Sequence, residues 1–195
     1  MVFVLTAQRI FTAINERVAE VRLSTGAVSS QTTASQLENT CKHYLDLHKV
    51  VQKVNLYFSL HMLAIQFIRC LFLCSEVFTI LINTGTRPEK VTIIGVSLVI
   101  LELTVLLVHC AACEACCQEA HKTVVLAHQL VTCNSPDVII ETVSLFSLAT
   151  FNARVSFSVG GVFSIDMSLV TKMLSLVISY LIVMLQLTDY DVEFK

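Results

Sequence analysis

The sequence predicts an all-α integral membrane bundle with long cytoplasmic helix extensions and a split last helix. Three observations predict it. Apolar residues make up 55% of the 195-residue chain and charged residues only 14%, against about 25% charge in an ordinary soluble domain. Two stretches, 56–82 and 91–113, are apolar over the ~20 residues that a bilayer core of ~30 Å requires of a helix. A third, 167–187, is as long and carries one charge, Lys172, in its first turns. The mean hydropathy of +0.74 agrees, and the net charge of −2 gives no basis for a nucleic-acid partner.

Met1 opens on VFVLTAQRIF. No basic stretch precedes this apolar patch and no small-residue cleavage site follows it, so it reads as the end of a truncated span, or else a buried amphipathic helix end, rather than a signal peptide. Residues 10–55 read as amphipathic helix interrupted in the middle. Ile10, Ile14, Val18 and Val21, then Leu37, Tyr44, Leu45, Leu47, Val51 and Val54, recur near the 3.6 period. Between them, STGAVSSQTTAS over 24–35 reads as a polar loop.

The first complete span, 56–82, holds Arg69 and Glu76 seven residues apart, nearly on one helical face. An unpaired charge at midplane costs about 2.5–3.5 kcal/mol on the insertion scale. Pairing with each other or with a neighbouring helix is one expectation; lining a ligand pocket or water path is the other. NTGTRPEK, 83–90, reads as a turn around Gly85 and Pro88. The second span, 91–113, carries Glu102 near its centre, either the partner of Arg69 or a functional carboxylate. Residues 114–134 continue as a more polar helix beyond the bilayer. Ser135 then fits a helix cap and Pro136 the first helical position. Over 138–158, Ile139, Val143, Phe146, Thr150 and Phe157 fall on one side, with Asn152 and Arg154 exposed. The divisions are therefore 1–55, 56–113, 114–159, 160–187 and an acidic tail, 188–195.

Orientation follows from lysine and arginine placement. Arg9, Arg17, Arg22, Lys42, Lys49 and Lys53 precede the first span and put it on the cytoplasmic side. The turn at 84–90 then faces outside, 114–160 returns to the cytoplasm and the C-terminus ends outside.

The last span follows a Gly160-Gly161 break and a polar Ser164-Ile165-Asp166 patch. Ser164, Ser168, Thr171, Ser175, Ser179 and Gln186 follow the helical period and form one polar stripe on an apolar rod. Such a stripe is expected to face protein or water. Asp166 and Lys172 read as solvated interfacial charges. Cys110, Cys113, Cys116 and Cys117 form CAACEACC, with His109 and His121 nearby. The run continues an apolar helix and cannot surround one zinc ion without a second ligand-bearing segment, so thiols at a membrane edge, open to acylation, are expected. There is no activated nucleophile set, no paired catalytic carboxylates and no phosphate-binding glycine loop. Neither an enzyme nor a cofactor is expected.

ISYLIVMLQL, 178–187, resembles the C-terminal signature of insect gustatory receptors: a Thr-Tyr pair, five mostly aliphatic residues, then Gln-Phe. Tyr180 and Gln186 match; Ser179 stands for the Thr and Leu187 for the Phe. GGVFSIDMSLV, LDLHKVVQKVNLYFS and RIFTAIN resemble further family stretches, in the family's order. The resemblance implies a multi-pass plasma-membrane receptor with its C-terminus outside, related to odorant receptors. It also implies a tetramer, homomeric or heteromeric, forming a cation channel gated by small tastants. Residues 138–159 would form a cytoplasmic anchor, 162–187 the pore helix, and Gly160 and Gly161 the hinge. Ser168, Thr171, Ser175, Ser179 and Gln186 would line the pore, with Leu176 and Val183 closing it by dewetting. Family members are longer, so the chain is expected to be a C-terminal fragment. The alternatives are a metabotropic-type receptor, a pore-less membrane adaptor, or an odorant receptor relative.

Overall fold

The computed structural model describes residues 1–24, 30–82, 89–129, 136–159 and 161–193. In chain order these form α1 (Val2–Ser24), α2 (Ser30–Ile82), α3 (Glu89–His128), α4 (Asp137–Asn152), β1 (Ser158–Val159), β2 (Phe163–Ser164) and α5 (Met167–Glu193). Three helices, α2, α3 and α5, are long and apolar enough to cross a membrane. The chain is a helical membrane protein. At 53 and 40 residues, α2 and α3 far exceed the ~20 that a bilayer core takes up.

Two compact units divide the chain, and α2 and α3 each contribute to both. The first comprises Met1–Tyr57 and Ala112–Phe157. Its core joins Val18 and Val21 of α1, Leu37 of α2, and Ile139 and Val143 of α4, with Leu126 of α3 packed against them. An aromatic row crosses the same unit: the Phe11 and Tyr44 rings are 5.5 Å apart, and Tyr44 meets Phe146 edge-on at 5.9 Å, the tilted geometries that aromatic quadrupoles favour. Charges sit on the outer faces, as in the exposed Lys42–Glu38 and Lys49–Asp46 pairs.

Two boundaries and one buried position differ from expectation here. The polar loop over 24–35 is shorter, because α2 begins at Ser30. Thr33, Ala34 and Leu37 are buried, and that packing recruits the Ser/Thr-rich run into helix. On α1, Ile10 is 43% exposed and its neighbour Phe11 is 0% exposed; adjacent apolar residues both fit a wide apolar stripe, and the larger ring takes the core. Pro136 stands just before α4 rather than at its first position, and its carbonyl accepts from the Ile139 and Ile140 amides. The predicted cap Ser135 lies outside the described residues.

The second unit comprises Phe58–Ala111 and Ser158–Lys195. It packs the apolar spans and a small hairpin in which Ser158 pairs with Ser164 and Val159 with Phe163. The expected helix-to-helix hinge is therefore a turn. Gly161 adopts φ 71°, a conformation that glycine reaches without the Cβ penalty, and the Val162 amide donates to the Val159 carbonyl at 3.0 Å. Gly160 lies outside the described residues, as do residues 83–88 of the turn expected over 83–90, whose last two residues open α3. Helix α5 continues to Glu193, past the expected end at 187, because no Gly or Pro follows to stop it.

Candidate functional site

Asp166 fixes the start of α5. Its Oδ1 accepts from the Leu169 amide at 3.2 Å, the N-cap to third-residue bond that satisfies one of the helix's orphan donors. The Ser168 hydroxyl donates to the same oxygen, and the Ser164 hydroxyl donates to Oδ2 at 2.7 Å. These two hydroxyls, Ser168 first, hold the Asp166 carboxyl below its ordinary range. Asp166 is thus a structural cap rather than a merely solvated charge.

Beyond the cap, α5 has two unlike sides. Leu169, Val170, Met173, Val177 and Leu181 are buried. Ser168, Thr171, Ser175, Ser179 and Gln186 are exposed, as are Leu176, Val183 and Tyr180. Ser175 lies roughly 160° around the helix from Met173 at 3.6 residues per turn, so the hydroxyl stripe turns away from the packed side. Its hydroxyls form a ladder along the helix: Thr171 donates to the Ser168 carbonyl at 2.8 Å, Ser175 to Thr171 at 2.9 Å and Ser179 to Ser175 at 2.8 Å. Each hydrogen is thereby satisfied within the helix, and the oxygen lone pairs remain available as acceptors. The helix itself thus satisfies the hydroxyl donors of Thr171, Ser175 and Ser179.

The intramembrane charges separate. Arg69 Nε lies 3.6 Å from Glu102 Oε2, which makes Glu102 the ion-pair partner across α2 and α3. This is a charge pair rather than a hydrogen bond: Glu102 Oε2 has no hydrogen-bond partner among the described residues. Glu76 instead lines a cavity of about 230 Å³ with Thr79, Val91, Thr92 and Gly95. A Cβ on Gly95 would stand 3.4 Å from Ile80 and 3.6 Å from Glu76 Oε2, ordinary contact distances, so α3 passes close to the carboxylate here.

The cysteine run is not an open membrane-edge cluster. Cys110, Cys113 and Cys116 are buried and Cys117 is half-buried, because three-residue spacing puts the first three on one helical face. Burial removes Cys110, Cys113 and Cys116 from acylation and leaves Cys117 partly open. Among the described residues, no group of three or more His, Cys, Asp or Glu side chains is placed to hold a metal.

One polar network has no local signal in the sequence. Asn15 Nδ2 on α1 donates to the Glu119 carbonyl at 3.0 Å and to Glu119 Oε2 at 3.1 Å. The Thr123 hydroxyl donates to Asn15 Oδ1 at 2.6 Å, and Lys122 Nζ stands 2.6 Å from Glu119 Oε1. Within the first unit it ties α1 to α3, across a separation of more than 100 residues in the chain.

The sequence pattern of the 7tm Chemosensory receptor family matches residues 1–190. The chain is similar to gustatory receptor 23a of Drosophila melanogaster, 26% identical over 160 residues, which cover 80% of this chain and 42% of that protein. The chain therefore aligns with less than half of the curated relative.

Proposed function

Because the chain belongs to the 7tm chemosensory receptor family, we propose that it serves as the C-terminal part of a gustatory receptor subunit. The receptor is a multi-pass plasma-membrane protein, not an enzyme. Its subunits assemble around a cation pore, as a tetramer of like or mixed subunits, and small soluble tastants open it. One observation carries the pore reading: the hydroxyl-bearing side of α5 faces away from the side that packs within its own unit. Ser168, Thr171, Ser175 and Ser179 commit their hydrogens to Asp166 or the helix, so their oxygens present acceptors, the chemistry that replaces part of a cation's hydration. Leu176 and Val183 alternate with them as an apolar constriction.

Tastant binding moves such a gate only through different affinities for its open and closed states. The Glu76 cavity, with its carboxylate and two threonines, suits hydroxyl or ammonium groups of a ligand. A pore-less receptor subunit is the second reading. The same ladder favours it, since internally satisfied hydroxyls cost little against lipid.

Single-channel recording from the complete receptor separates the two. Ser175→Trp and Ser179→Trp are expected to lower unitary conductance or shift ion selectivity at unchanged surface expression. Tastant responses without current, or unchanged conductance in both variants, would exclude the pore reading.

A further inference from the structure

Gln66 of α2 is 6% exposed, yet neither its amide nitrogen nor its amide oxygen has a hydrogen-bond partner among the described residues. Buried side-chain amides are almost always paired, and in a spanning segment hydrocarbon offers nothing in exchange. Gln66 lines a cleft of about 340 Å³ inside the second unit. Leu63 and Phe67 of α2, Phe163 of the hairpin, and Met173 and Leu176 of α5 form apolar wall. Lys172 also lines the cleft.

These features specify a ligand. The walls ask for hydrocarbon. The amide of Gln66 offers a donor and an acceptor, and the Lys172 ammonium offers donors and a positive charge. Lys172 follows the first residue of α5 by little more than one turn, at the end of a span, where a lysine stem lies along apolar surface and its charge reaches the interface. A volume near the low end of ligand pockets takes one acyl chain rather than two. We propose that the cleft binds a single-chain carboxylate, a fatty acid, with its chain against the apolar wall and its head between Gln66 Nε2 and Lys172 Nζ. The amide oxygen then accepts from water at the head. This site requires neither a pore nor a tastant, and it shares only Leu176 with the channel reading.

The test uses the full chain in phosphatidylcholine nanodiscs and a diazirine-bearing C16 fatty acid as photoprobe, with labelled peptides mapped by mass spectrometry. Label is expected to concentrate in 63–70 and 169–176. Excess oleate should displace it, and oleyl alcohol at the same concentration should not. Gln66→Leu and Lys172→Gln are each expected to cut labelling about tenfold at subsaturating probe, the worth of one charge-assisted hydrogen bond. Thermal unfolding confirms that both variants are folded, and Gln66→Leu should unfold no earlier than the parent because it removes an orphaned amide.

Label spread evenly over the apolar helices would overturn the proposal. So would parent-like labelling of both folded variants, equal competition by oleyl alcohol, or displacement by phosphatidic acid but not by oleate. Cross-links between two copies of the chain across this cleft would assign it to self-association instead.

Discussion

The two units of this protein put the same kinds of side chain to opposite uses. In the first, the aromatic rings of Phe11, Tyr44 and Phe146 are buried, Phe146 at 1% exposed, and Lys42 and Lys49 point outward with their acidic partners. In the second, Phe67 is 63% exposed, while Arg69 and Glu102 pair with each other half-buried. We read the difference as one of solvent. A water-facing bundle gains by burying hydrocarbon. A lipid-facing one gains nothing that way, since lipid tails are as apolar as leucine, and it holds together by packing and internal polar contacts.

The largest expected break in that comparison comes from matched truncations. Phe146→Ala should cost about 3–5 kcal/mol, the usual range for emptying a buried aromatic site, while Phe67→Ala should stay within about 1 kcal/mol. Denaturation of the purified protein, followed by helical circular dichroism, checks both. Next comes a charge placed on each surface. Ile100 of the second unit and Val50 of the first are both well exposed. Ile100→Arg should cost about 2.5–3.5 kcal/mol in membrane insertion, whereas Val50→Arg should cost about 0.5 kcal/mol or less. Glycosylation-based insertion assays read the first and thermal unfolding the second. Equal costs at the two sites would erase the distinction between the units.

A smaller effect sharpens the account of the first unit. Asn15→Ala removes the link from α1 to Glu119 and Thr123 and should destabilise by about 1–3 kcal/mol, the cost of orphaning buried polar groups. Hydrogen exchange should accelerate in α1 before α5. The smallest effect is at the cap of α5. Asp166→Ala should cost about 1 kcal/mol. The Asp166 carboxyl titrates below its ordinary value of 3.8 in the folded chain, so its contribution is complete above that value. It is lost as pH falls through the lower folded value. Asp166→Asn keeps the cap and should flatten this acid limb in a pH series of thermal unfolding.

How much of this was legible in the sequence follows the same division. The core faces of α1 and α4 were readable from Ile14, Val18 and Val21 and from Ile139, Val143, Phe146 and Thr150, all buried, because water imposes a visible 3.6 period. Within the spans that signal vanishes, since residues facing lipid and residues facing protein are equally apolar. Arg69 stood out as a charge, but its choice of Glu102 over Glu76 depends on how α2 and α3 register. Gln66 carried no signal, because an orphaned amide is defined by what fails to meet it. The cysteines misled for a related reason: an apolar helix does not announce which face it buries. Asn15, Glu119 and Thr123 are too far apart in the chain for any local pattern to join them. The polar stripe of α5 was readable as a stripe, but its internal ladder of hydroxyl bonds was not.

The most direct measurement is cysteine accessibility along α5 in the assembled receptor, using a charged, membrane-impermeant thiol reagent with and without tastant. The background is the parent with Cys41→Ser and Cys117→Ser, the two partly exposed thiols among the described residues. If the hydroxyl side borders water, cysteines at 171, 175 and 179 react, and their rates change with stimulation. Cysteines at 169, 173, 177 and 181 stay silent. No reaction at 171, 175 and 179 in either state would place that side against lipid or protein and contradict the account.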